Sequence, residues 1–239
     1  MSLRPILAQT ACRTRRPGHL VAAVAAALLL AACASTPPEP AWQARASGAA
    51  ERALAAQLEG RARVQALEWA KARAELARTG RTDWLARLEL LRCAADAAAL
   101  APPACAAFEP LRADAAAPER AYADYLAGQA LSAADQARLP AAQQALAALP
   151  PGAMPDAALA AIEDPLSRLV GAAVLLRTGR ATPGVITQAV DTASAQGWAL
   201  PLRAWLGVQL QRARAAGDAD AAAAVQRRIA LVEQGLAGR

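Results

Sequence analysis

Histidine and lysine are almost missing from this chain: His19 and Lys71 are the sole examples of each among 239 residues, and aromatic residues make up only 3%. A lone lysine leaves no Ser-x-x-Lys pair, and neither a Gly-rich phosphate loop nor an EF-hand-like acidic loop is present. No segment sustains the period-two alternation of a half-buried strand. The apolar run Leu20 to Leu30 is too short for a helix that crosses a bilayer, even with the small residues that follow it up to Ala34. What fills the chain instead is alanine, leucine, arginine and glutamate at helical spacing, so the expected fold is all-α.

The N-terminus has its own logic. Arg13, Arg15 and Arg16 precede the apolar run, which is the layout of a secretory signal. The run closes on Leu30-Ala31-Ala32-Cys33, which resembles the bacterial lipobox. That resemblance implies cleavage before Cys33 and a lipid on its sulfur. With Ala34 rather than Asp after the cysteine, it also implies the outer membrane, periplasmic face, as the destination. Residues 1–32 are then a signal peptide, and residues 33–46 a lipid anchor and proline-rich tether containing Pro37, Pro38 and Pro40. At about 3 Å per residue, the stretch from Ala34 to Pro40 would hold a folded body about 20 Å from the lipid.

Cleavage changes what the composition means. The signal takes Arg4, Arg13, Arg15 and Arg16 and no acid, so the formal charge falls from +6 to +2 and no basic stripe remains to suggest nucleic-acid binding. It also takes His19, which excludes Ser-His-Asp and Cys-His catalysis, imidazole metal sites and the usual near-neutral base. No metal and no cofactor is expected. Cys93 and Cys105 become the remaining thiols once Cys33 is acylated, and an oxidising periplasm would join them across Pro102-Pro103.

Punctuation divides the rest into residues 47–150, an N-terminal helical region with the disulfide, and residues 151–239, C-terminal helical hairpins, with Pro150-Pro151-Gly152 between them. The spacing predicts one long helix from Ser47 to Arg78, supported by Glu59 with Arg63 and closed by Gly80. A second helix, capped by Thr82, should reach Leu100, and a third should run from Pro118 to Leu131. Ser132 with Asp135 resembles a capping box, starting a helix that is interrupted at Pro140 and resumes to Leu149. Asp164-Pro165 and Thr182-Pro183 place a cap before a proline at the first helical position, and Gly179, Gly197, Gly217 and Gly235 should close successive helices.

Arg78-Thr79-Gly80-Arg81 recurs as Arg177-Thr178-Gly179-Arg180, an offset of three units of about 34 residues. Trp69, Leu76 and Gly80, and later Leu206-Gly207, Gly217-Asp218 and Ala222, resemble parts of the tetratricopeptide pattern. That resemblance implies stacked helical hairpins in a solenoid, with an irregular helical bundle as the alternative.

Catalytic readings rest on carboxylates alone. Glu163-Asp164 and Asp218 with Asp220 are close pairs, but Asp164 and Asp218 stand at helix starts, where capping accounts for them. Ser132, Ser167 and Ser194 lack a base. Trp69, Trp205, Tyr122, Tyr125 and Phe108 read as packing anchors; Trp84 and Trp198, each beside a Gly-containing loop, are the candidate partner-binding residues. The expected function is a non-catalytic scaffold or assembly factor for another envelope protein, attached to the membrane through Cys33. The alternative is a protein that binds or remodels cell-wall glycan or lipid.

Overall fold

Alanine is the best helix former and its small side chain lets two helices approach closely, so an alanine-rich chain punctuated by Gly and Pro becomes a set of short, tightly packed helices. The computed structural model describes residues 40–102 and 104–238. The expected signal peptide, the lipobox with Cys33 and most of the tether lie outside the described residues. The described residues are all-α, with eleven α-helices, one 3-10 turn and no strand. None of these helices is long and apolar enough to cross a membrane.

Helix α1 covers Ala41–Leu58, α2 Ala62–Ala77 and α3 Thr82–Ala98. The expected single helix from Ser47 to Arg78 is thus two. Gly60 adopts φ +80°, and the Gly60 and Arg61 amides return to the Gln57 and Ala56 carbonyls at 3.1 and 2.7 Å, closing α1 in a Schellman turn. Glu59 and Arg63 therefore lie on either side of a break, and Glu59 pairs with Arg61 at 2.7 Å. Helical backbone begins at Ala41, so residues 41–46 belong to α1 and not to the tether; Ala46 is already buried there. Thr82 is the first residue of α3 and not its cap. Arg81 flanks it without a capping hydrogen bond, and Asp83 supplies negative charge to the first turn.

Past α3 the chain turns at Leu100, the one non-glycine residue with positive φ among those described, and the Cys93–Cys105 disulfide spans the turn with its Cα atoms 5.4 Å apart. A 3-10 turn, Glu109–Leu111, leads to α4 (Ala117–Leu126), which ends five residues before the expected Leu131. Short helices α5 (Ala133–Gln136), α6 (Ala141–Ala147) and α7 (Asp156–Ala160) follow. Then come α8 (Pro165–Arg177), α9 (Pro183–Ala195), α10 (Ala199–Ala215) and α11 (Ala219–Ala237). The starts match the caps read from sequence: the Asp164, Thr182 and Asp218 side chains accept from the amides of Ser167, Val185 and Ala221 at 2.7, 3.1 and 2.9 Å. Gly235 does not close a helix, since it lies inside α11.

From Ala41 onward the chain is one compact unit, so Pro150-Pro151-Gly152 is a turn within a single structure. Helix α8 is central, packing on α3, α4, α6, α7 and α9, with every residue from Leu169 to Leu175 buried. Gly171 permits this crowding: a Cβ there would meet Leu146 Cδ1 at 2.5 Å and Leu159 Cδ1 at 3.3 Å. Contacts of α3 with α8, and of α1 with α10, link elements far apart in sequence, a departure from stacking in which each unit meets only its neighbours.

Candidate functional site

Helices α1, α2 and α3 share a second, smaller core of Ala46, Ala49, Ala50, Ala53, Trp69, Ala72, Leu76 and Leu88. The alanine face of α1 lets α2 lie close along it, and two ion pairs stitch the seam, Arg45 to Glu75 at 3.1 Å and Arg52 to Glu68 at 2.8 Å, while Lys71 on α2 itself also pairs with Glu68 at 2.5 Å. Helix α2 meets α3 more sparingly, through the Arg73–Glu89 ion pair and the Trp69 and Leu88 side chains. The space left between α2 and α3 is a groove of about 460 Å³. Ala62, Ala66 and Ala70 line one wall, Arg92 stands on the other, and the buried side chains of Trp69 and Leu88 form the floor.

The floor is held rigidly. The Trp69 indole N–H donates to Gln57 Oε1 at 2.8 Å, and Gln57 Nε2 donates to Asp96 Oδ1 at 2.6 Å, so one buried glutamine ties α1, α2 and α3 together. Burial pushes the Asp96 carboxyl above its ordinary value, against the pull of Arg92. Glu68 shifts the other way: the hydrogen bond from Lys71, assisted by Arg52, holds its carboxyl below the usual carboxylate value. A carboxylate depressed in the folded state adds stability above the unfolded pKa, and this is lost as pH falls through the folded one. Acidification from pH 7 to pH 3 should therefore shift the urea midpoint of the wild-type protein downward more than that of Glu68→Gln. Equal shifts in the two proteins would refute this role for Glu68.

The two candidate tryptophans are assigned to different clusters. Trp84, in the first turn of α3, is half-buried in the smaller core, edge-on to Trp42 with ring centroids 5.7 Å apart and with the Arg81 guanidinium 5.2 Å from its own centroid. Trp198 directly precedes α10 and packs half-buried against the main core. Trp42 was missed as a partner of Trp84 because its position beside the prolines reads as tether. Of the other aromatics, Trp69, Trp205, Phe108 and Tyr125 are buried, and Tyr122 stacks on Tyr125.

Of the two acid pairs that could suggest chemistry, Glu163 and Asp220 are exposed and their neighbours are structural. Asp164 and Asp218 cap helices, Ser132 caps α5 by accepting from the Asp135 amide at 3.1 Å, and the buried Glu68 and Glu89 are neutralised by basic side chains. Among the described residues no three His, Cys, Asp or Glu side chains converge as metal ligands would. The groove between α2 and α3, which sequence reading did not anticipate, is a concave surface bounded by two helices. Compared with known protein families, curated proteins and solved structures, the chain shows no significant match to any of them.

Proposed function

We propose that this protein is an outer-membrane lipoprotein, anchored through Cys33 on the periplasmic face, whose helical body is a non-catalytic scaffold or assembly factor for another envelope protein. The observation that carries this reading is the open groove between α2 and α3, whose floor is fixed by the Trp69–Gln57–Asp96 hydrogen bonds. A rigid, partly apolar concavity suits recognition of another chain. The assignment of Asp164 and Asp218 to helix capping further supports binding over turnover.

The alternative, a binder or remodeller of cell-wall glycan or lipid, draws support from the Trp42–Trp84 pair beneath Arg81. Most remaining aromatics are buried, however, and a glycan strand needs several exposed on one face.

Two measurements test the proposal. Replacing Cys33 by Ser should release the protein from the outer-membrane fraction; retention there with processing at residue 33 would overturn the anchor. Incubation of the purified protein with peptidoglycan fragments should leave them intact. Cleavage that disappears in Asp164→Asn, which keeps the capping oxygen but removes the charge, would replace the scaffold with an enzyme.

A further inference from the structure

We infer that the groove between α2 and α3 receives an amphipathic helix of a partner protein, one with aliphatic side chains along its inner face and Asp or Glu along its flank. This rests on the scaffold reading and names the chemistry of the partner.

The surface beside the groove is apolar where solvent should favour polarity. Among the described residues four large hydrophobic side chains are exposed, Val64, Leu67, Met154 and Leu231, and the first two lie one turn apart on α2. Leu67 is 55% exposed and follows Ala66 around the helix, while Ala70 and Ala74, also exposed, continue the strip along the axis. A single exposed leucine is ordinary; one continuous with a concavity marks a binding surface. The groove runs between two helices, and its alanine wall leaves notches one turn apart, the spacing of side chains on a third helix. A helix of about four turns matches the 16 residues of α2, roughly 24 Å long.

Charge selects the partner. Ten cationic side chains lie between residues 41 and 98. Eight of them stand in ion pairs: Arg45, Arg52, Arg61, Lys71, Arg73, Arg78, Arg81 and Arg87. The other two, Arg63 and Arg92, form no ion pair with any described residue; Arg73, the other cation in the groove wall, is already matched by Glu89. Arg92 is part of the groove wall, and Arg63 shares a face of α2 with Leu67 and Ala70. Glu89, in the groove wall beside Arg92, is paired with Arg73, and Asp96, whose carboxyl feels the charge of Arg92, forms no ion pair with it and accepts from Gln57. An incoming helix with carboxylates on its flank would complete both arginines and cover Leu67.

A photoreactive phenylalanine analogue placed at Leu67 of the full-length, membrane-anchored protein tests this in cells, with the same analogue at Met154 and at Leu231 for comparison. The expected result is an adduct at position 67 whose cross-linked segment, mapped by mass spectrometry, is an amphipathic helix bearing Asp or Glu. Its yield should fall about tenfold in R63Q/R92Q, two exposed changes whose folding is checked by thermal melting. Adducts at Met154 or Leu231 but not at Leu67 would overturn the groove and leave the scaffold reading standing. So would a position-67 adduct to lipid, to a segment without acids, or with a yield indifferent to R63Q/R92Q. An absence of protein adducts at all three positions would overturn both.

Discussion

Trp205→Ala should lower the unfolding free energy by about 3–5 kcal/mol, which would leave little of the stability of a typical domain. Trp205 lies fully buried on α10 in the main core, and its indole N–H donates to the Ala98 carbonyl at 3.0 Å. Ala98 is the last residue of α3, where helix geometry leaves carbonyls without an intrahelical partner. Truncation therefore opens a cavity and also strips a buried acceptor of its donor. Trp205→Phe separates the two effects, since it retains most of the volume and loses the N–H. It should cost about 1–3 kcal/mol, the penalty of the unsatisfied carbonyl. Urea unfolding followed by circular dichroism reads both. A Trp205→Ala protein within 1 kcal/mol of wild type would show that the α3–α10 contact does not hold the core together.

The double substitution Cys93→Ser, Cys105→Ser should cost about 3 kcal/mol, because the bridge removes loop-closure entropy from the unfolded chain. The two cysteines are 12 residues apart in sequence, and both are buried in the main core. The loop they close contains Leu100 at φ +57°, a left-handed conformation unfavourable for leucine, so the bridge also restrains a turn that local preference opposes. Unfolding of the oxidised protein with and without reductant is the check. The reductant-treated protein should match the double variant, and a wild-type protein whose urea midpoint ignores reductant would refute the contribution.

Much of the helix punctuation was legible because capping is a local matter. Asp164, Thr182, Asp218 and Ser132 each satisfy an amide three residues on, a distance set by the helix itself. The disulfide was legible too, as two thiols flanking a proline break. Gly60 was overlooked because Ala, Leu, Arg and Glu continue at helical spacing on both sides of it, and a single glycine within such a pattern is often tolerated. The first turn of α1 was assigned to the tether because prolines precede it. What draws residues 41–46 into a helix is packing: Trp42 against Trp84, and Ala46 in the α1–α2 seam. The groove could not be read at all, since it exists where α2, committed along one side to α1, fails to fill the space toward α3.

The repeated tetrapeptide marks where local information ends. In both copies the glycine is left-handed, at φ +67° for Gly80 and +70° for Gly179, and the preceding threonine hydroxyl bonds back to a helix carbonyl, Thr79 to Leu76 at 2.6 Å and Thr178 to Val174 at 2.8 Å. The four residues by themselves determine this turn, because its hydrogen bonds close within one helical turn. The fate of the arginines is decided elsewhere. Arg78 stays at the surface beside Glu75, whereas Arg177 is drawn inward, donating to the carbonyl of Leu126 at the end of α4 and, at 2.7 Å, to that of Ala101 beyond α3. Those carbonyls lie 51 and 76 residues away in sequence. Only the packing of α8 against α3 and α4 brings them within reach, and their unmet demand for donors is what holds a charged side chain inside the fold.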